Sequence, residues 1–311
     1  MKNLVVFLGL MFIVVGCRTA EQPSTWSVVA VDPATGEVGI AAASCVAVPI
    51  DVLAALVPGK GVAATQAAIS IENRNRVFEA LKAGASADEI IDAVTAADTE
   101  AATRQYGIIT LSDGQATVAG YTGADNNNWA GNKQRDTPFP VTVQGNILES
   151  EEVVNAALDA FSDETLGSVT LSDRLMRAME AGSAAGGDKR CNESVQQTAA
   201  AAFIMVAQGN DVPFAVANVG ESNTDAVDAP TLYLSVSEPV GGANPLIALR
   251  EQYDAWRKDN LPPCPDCNLS AIPVPPGDDA TTARFPLWLS IGIGLLIALA
   301  AAFIWQRAKK K

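Results

Sequence analysis

A chain of 311 residues without a single histidine cannot carry a Ser-His-Asp triad, a Cys-His dyad or a His-ligated metal site. Its formal charge of −14 argues against a nucleic-acid partner, because phosphate binding needs clustered Lys and Arg. The 49% apolar content is ample for one core domain of roughly 200–250 residues.

Residues 1–16 read as a signal segment. Lys2 precedes an apolar run from Leu4 to Val15, which is too short to span a bilayer comfortably and suits a secretory leader. The run ends in Val14-Val15-Gly16-Cys17, which looks like a bacterial lipobox, so cleavage before Cys17 and acylation of its sulfur are expected. An ordinary signal anchor with an incidental cysteine is the plainer alternative. Residues 17–24 are a short polar tether.

The domain reads as residues 25–260. Thr25 to Val31 alternates as a strand, Asp32-Pro33-Ala34-Thr35-Gly36 is a turn, and Glu37 to Ser44 returns as its hairpin partner. Gly61 to Ala67 is a small-residue buried strand. Asn73 to Lys82 carries Val77, Phe78 and Leu81 at helical spacing, and Ser86-Ala87-Asp88-Glu89 caps a second helix. Tyr106 to Leu111 and Gln115 to Thr122 form a hairpin around Ser112-Asp113-Gly114. A strand from Val141 to Leu148 leads into helices at Glu151 to Phe161 and Leu171 to Ala181, the latter stopping at Gly182. A polar loop, Gly186 to Cys191, precedes strands at Ala199–Val206, Phe214–Val219 and Leu232–Val236. Asn244 to Lys258 closes the domain as an amphipathic helix.

Beyond it, residues 261–285 are Pro-rich and read as a stalk. Residues 286–306 are apolar for about one bilayer thickness, with Trp288 and Trp305 near the ends. The basic tail 307–311 then places the C-terminus in the cytoplasm by the positive-inside rule and the domain on the extracytoplasmic side of the cell membrane. In that oxidising space Cys45, Cys191, Cys264 and Cys267 read as two disulfides, although a Cys-Pro-Asp-Cys stretch also suits a redox pair or half a metal site. No second half-site accompanies it, so no metal and no cofactor are expected.

Strand hairpins alternating with helix pairs imply an α+β fold of antiparallel sheets covered by helices. Two stacked sheets between helical layers satisfy this order, and so does a simpler two-layer sandwich.

Several blocks together resemble a known family. They are Thr25-Trp26-Ser27-Val28-Val29-Ala30 with Asp32-Pro33 and Gly36, Ala64-Thr65-Gln66-Ala67, and Tyr121-Thr122-Gly123 with Trp129-Ala130-Gly131. Val143-Gln144-Gly145-Asn146-Ile147-Leu148 and Gly186-Gly187-Asp188-Lys189-Arg190 complete the set. They look like domain of unknown function 1028, placed with the N-terminal-nucleophile (Ntn) hydrolases, over roughly Thr25 to Lys258. The resemblance implies an αββα four-layer sandwich, here with a C-terminal transmembrane helix. It also implies that Thr25 sits where Ntn enzymes carry their nucleophile, and that Cys45 pairs with Cys191.

Without histidine, a terminal threonine whose own α-amine serves as base is an available hydrolytic device. Thr25 is therefore the candidate nucleophile, and a cut between Ser24 and Thr25 is required to free its amine. A β-branched residue opening a strand is the plain alternative. Gln144, Asn146 and Thr65 are candidates for oxyanion or catalytic hydrogen bonds, and Gln66, Asp188 and Arg190 for substrate contacts, with a surface ion pair of Asp188 and Arg190 pinned by the Cys191 disulfide as the plain alternative for the last two. Lys60 is the nearby cation able to lower an amine pKa. Ser44-Cys45 is another nucleophile pair, but it lacks an evident base. Gly182 to Gly187 lacks the Lys-Ser/Thr ending of a phosphate loop. The expected activity is an extracytoplasmic, membrane-anchored hydrolase of amide bonds acting on a small peptide or cell-envelope fragment. The alternative is a catalytically silent module that binds cell-envelope peptide or glycan.

Overall fold

The computed structural model describes residues 24–277, apart from 137 and 196. The expected leader 1–16, Cys17 with the tether up to residue 23, the helix 286–306 and the tail 307–311 lie outside the described residues. The fold expectation that included a membrane-spanning C-terminal helix is corrected. Among the described residues no helix is long and apolar enough to cross a membrane. What those residues form is a mixed α+β fold with two antiparallel sheets.

Strands β1 (Thr25–Asp32) and β2 (Glu37–Ser44) pair from Trp26↔Ala43 to Asp32↔Glu37. Gly36 closes their turn with a left-handed φ of 75° and donates its N–H to the Asp32 carbonyl at 2.9 Å. Next come β3 (Ala54–Val57), β4 (Gly61–Ala67), helices α1 (Ile71–Ala83) and α2 (Ala87–Ala96), β5 (Arg104–Ser112) and β6 (Gln115–Thr122). They are followed by β7 (Trp129–Arg135), β8 (Val141–Leu148), α3 (Glu152–Phe161), α4 (Leu171–Ala184) and α5 (Lys189–Val195). The chain then runs through β9 (Ala201–Ala207), β10 (Leu232–Ser237) and α6 (Pro245–Asn260). One sheet has the order β10-β9-β2-β1-β8-β7, and the other β3-β4-β5-β6.

Period-two alternation sorts the core into three layers. Trp26, Val28, Val143 and Ile204 pack with residues of α3, α4 and α6 on one side of the larger sheet. Val29, Val31, Ile40 and Phe203 face Leu56, Val62 and Ile109 of the smaller sheet. Ala63, Ile108 and Ala119 pack under Val77, Leu81 and Ile90 of α1 and α2. Helices thus cover the outer faces, and the sheets bury their inner faces against each other.

The observed elements depart from expectation where chain-local signals were weak. Helix α4 runs through Gly182 because Trp26 packs against that glycine, where a Cβ would lie 2.8 Å from the indole Nε1. The loop expected at Gly186 to Cys191 turns into α5, with Asp188 Oδ1 accepting the Arg190 N–H at 3.1 Å in the manner of an N-cap. The strand expected at Phe214–Val219 reduces to one bridge between Phe214 and Leu56, next to Pro213, which has no N–H to give a ladder. The expected stalk is packed against the domain as far as 277. Asn268 N–H reaches Leu166 O at 2.9 Å, Ile272 N–H reaches Glu180 Oε2 at 3.0 Å, and Ala243 bridges Gly277.

Cys45, just past β2, is disulfide-bonded to Cys191 in α5, across 146 residues of chain. Cys264 is bonded to Cys267. Closing so long a loop removes much unfolded-state entropy, so replacing Cys45 and Cys191 together by alanine should lower stability by about 2–5 kcal/mol in chemical denaturation, whereas the Cys264–Cys267 loop is too short to matter comparably.

Candidate functional site

The same alternation that buries Trp26 and Val28 against the helices turns Thr25 and Ser27 toward the smaller sheet. Register places Asn146 opposite Thr25 and Gln144 opposite Ser27 on β8. From the facing sheet, β4 contributes Gln66 and β5 contributes Gln105, paired opposite each other. At this end of the molecule the apolar layer between the sheets therefore gives way to side-chain amides and hydroxyls.

They satisfy one another. Ser27 Oγ donates to Gln66 Oε1 at 2.6 Å, and Gln144 Nε2 donates to Ser27 Oγ at 2.5 Å. Gln66 Nε2 donates to Gln105 Oε1 at 2.8 Å and to the Thr25 carbonyl at 3.2 Å. Gln105 Nε2 reaches Gly145 O at 2.7 Å and Thr122 Oγ1 at 2.9 Å, while Asn146 Nδ2 donates to Gln105 Oε1 at 3.0 Å. Gln66, Gln105, Gln144 and Asn146 are all buried, and none of the network's members carries a charge. Asn146 Oδ1 has no hydrogen-bond partner among the described residues. Gly107 makes room for the network: a Cβ there would stand 2.0 Å from Gln144 Oε1.

The peptide between Ser24 and Thr25 is held beside this network. The Ser44 hydroxyl donates to the Ser24 carbonyl oxygen. Ser24 Oγ donates to Asn146 O at 3.0 Å and to Ile147 O at 3.3 Å. Among the described residues no hydrogen bond engages the Thr25 hydroxyl, although Thr25 is only 2% exposed. Just past Ser44, the Cys45 N–H donates to the buried Asp188 Oδ2 at 2.7 Å, and Arg190 Nη2 pairs with the same oxygen at 3.1 Å. Asp188 and Arg190 thus pin the chain that carries Ser44.

Among the candidates, Thr25, Gln66, Gln144 and Asn146 come together. Thr65 does not: it shares the helix-side face of β4 with Ala63, and its hydroxyl donates to Leu53 O at 3.2 Å. Lys60 lies at the other end of β4, with its ammonium on the Lys82 carbonyl. Sequence reasoning missed Ser24, Ser27, Ser44 as a donor, Gln105 and Thr122. Alternation from Thr25 would have found Ser27, and Gln105 lies one residue before the expected strand. Cys264, Asp266 and Cys267 form the single cluster of metal-ligand type among the described residues, and its two sulfurs are bonded to each other.

A cavity of about 420 Å³ opens elsewhere, lined by Thr35, Glu37, Gln208, Gly209 and Asn210. It lies at the turn end of the β1–β2 hairpin, an eight-residue strand and so about 25 Å from Thr25. Burial, then the charges of Asp32 and Asp211, push the Glu37 carboxyl up to about 7.

The sequence profile of a family described as "Family of unknown function (DUF1028)" matches residues 25–227. The chain is also similar to the crystal structure of protein SPO2555 from Silicibacter pomeroyi, which carries the same family assignment. The two share 24% identity and a TM-score of 0.57 over 75% of this chain and 86% of that one, a likeness of fold. No curated protein matches the sequence.

Because Glu37 is raised from 4.5 to about 7 in the fold, the folded state holds its proton more tightly than the unfolded chain. Its contribution to stability is intact below pH 4.5 and is lost as pH rises to about 7. Glu37→Gln should flatten that fall and raise stability at pH 8 by about 1–3 kcal/mol, as read from denaturation midpoints across the range.

Proposed function

Since the chain belongs to the family of unknown function DUF1028, we propose its function from the arrangement around Thr25: an extracytoplasmic Ntn-type hydrolase of amide bonds whose nucleophile is the Thr25 hydroxyl, freed by a cut after Ser24. The single observation that carries this reading is the Ser44 hydrogen bond to the Ser24 carbonyl, the group the unengaged Thr25 hydroxyl would have to attack. In that step the Thr25 oxygen bonds to the Ser24 carbonyl carbon, and charge gathers on the oxygen that Ser44 already contacts. The C–N bond breaks, and the hydroxyl proton passes to the departing nitrogen. Water then hydrolyses the resulting ester, leaving Thr25 with a free amine and hydroxyl.

The freed amine would sit in a buried and uncharged setting. Desolvation favours its neutral form, so an amine that ordinarily titrates near pH ~8 is available as base at neutral pH. Departure of Ser24 vacates the contacts with Ser44 Oγ, Asn146 O and Ile147 O, and a substrate acyl group would take that place. These are neutral contacts, which suits a peptide or acyl-amino acid. A lipidated Cys17 would hold the domain at the cell membrane until the cut. The Cys45–Cys191 disulfide fits an oxidising compartment.

One observation favours a second reading. Ser24 is fully buried, with both its hydroxyl and its carbonyl hydrogen-bonded, as a permanent part of the domain would be in an Ntn-like fold kept as a silent binding module for cell-envelope peptide or glycan.

The masses of mature wild type and Thr25→Ala decide between them. The hydrolase reading expects wild type to begin at Thr25 and the variant to retain residues 17–24. Retention of that segment in both would leave the binding module.

A further inference from the structure

The two disulfides among the described residues differ in what they do for the fold. Cys45–Cys191 closes a loop across 146 residues of chain, and both of its cysteines are buried. Cys264 and Cys267 are three positions apart and half-buried at the surface. The stability that a disulfide lends a fold equals the protection from reduction that the fold lends the disulfide, because the two equilibria share one thermodynamic cycle. The long loop therefore shields Cys45–Cys191, whereas the short one leaves Cys264–Cys267 about as reducible as in a free peptide.

The turn that carries the exposed pair is held by contacts other than the S–S bond. Cys267 N–H donates to Cys264 O at 3.3 Å, Ser168 Oγ to Asp266 Oδ2 at 3.0 Å, and Asn268 N–H to Leu166 O at 2.9 Å. Gly167 lets the turn approach the α3–α4 connection, since a Cβ there would stand 2.3 Å from Asp266 O. Just beyond, Arg250 Nη2 and Arg177 Nη1 donate to the carbonyls of Leu269 and Ser270. These contacts keep the two sulfurs side by side whether or not they are bonded. Once reduced, the Cys264 thiol has acceptors within reach, Asp266 Oδ1 at 3.3 Å and Ser168 O at 3.8 Å. A disulfide that adds little stability, lies at the surface and keeps its place when reduced is suited to exchange.

We propose that Cys264-Pro265-Asp266-Cys267 is a thiol–disulfide exchange site that accepts electrons from a protein dithiol. A thiolate of the dithiol bonds to one sulfur of the pair, and the S–S bond breaks with its electron pair leaving on the other sulfur as thiolate. The second thiolate of the dithiol then attacks its own partner sulfur in the mixed disulfide and releases the first cysteine. The dithiol ends as a disulfide and the pair as two thiols, with two electrons and two protons transferred. A dithiol suits the site because its second thiol is already tethered beside the mixed disulfide, so the resolving step is intramolecular. None of these residues belongs to the amide network beside Thr25, and the site stands independently of the hydrolase reading.

Reduced thioredoxin is the probe dithiol, mixed with the oxidised full-length protein and followed by alkylation and peptide mass mapping. The site predicts one thioredoxin oxidised per chain, with new thiols at Cys264 and Cys267 appearing at least about tenfold faster than any at Cys45 and Cys191. The double variant Cys264→Ser, Cys267→Ser should oxidise none over the same interval. Thioredoxin left reduced by wild type, equal oxidation by the variant, or earlier opening of Cys45–Cys191 overturns the proposal. Should the variant not fold, mass mapping of wild type decides alone, by which pair of cysteines is alkylated first.

Discussion

Where two sheets meet face to face, a polar side chain pointing inward is shielded from bulk solvent and must find its partners among its neighbours in the two sheets. Here Gln66 and Gln105 of one sheet meet Ser27, Gln144 and Asn146 of the other under that constraint. An unsatisfied buried amide costs about 1–3 kcal/mol, so the network tolerates few alternatives. It also fixes register. A slip of β1 by one residue would turn Ser27 toward the helices and Trp26 into the amide cluster. The same hydrogen bonds that join the sheets thereby set the height at which Thr25 enters the fold.

The environment of the Ser24–Thr25 peptide follows from this. Gln66 holds the carbonyl of Thr25, β8 supplies the carbonyls that hold the Ser24 hydroxyl, and Ser44 holds the Ser24 carbonyl. Ser44 is steadied in turn by what comes next in the chain, where the Cys45 amide is fastened to Asp188 and its sulfur to Cys191. Among the described residues, none of the side chains of the amide and hydroxyl network beside Thr25 is charged. Under the proposed reading, a nucleophile there would depend on a neutral amine and on donors already in position, in keeping with a sequence that contains no histidine.

Much of this frame was legible in the chain. The alternation of Thr25 to Val31, the turn at Asp32 to Gly36 and the capping box at Ser86 are local signals, and the structure places a strand, a turn and a helix there. Gln66, Gln144 and Asn146 could be named because they sit in apolar strands, where an amide needs a reason to be. Thr65 could not be separated from Gln66 without the sheet's orientation, since adjacent strand residues face opposite ways. Asp188 and Arg190 read as a substrate loop because two glycines precede them, while the disulfide and the Cys45 amide draw Asp188 inward. β3 is four small or aliphatic residues and β7 an edge strand of mostly polar ones, so neither carries the β-branched alternation that marks a strand.

A double-mutant cycle on Gln66→Leu and Gln105→Leu measures most directly whether the amide network acts as one unit that holds the Thr25 strand. If it does, the first substitution strands the partner's amide and the second removes that penalty, giving a coupling of about 1 kcal/mol or more in denaturation free energy. Additivity within about 0.5 kcal/mol would contradict it, leaving the two glutamines as independent neighbours and the site without its organising contact.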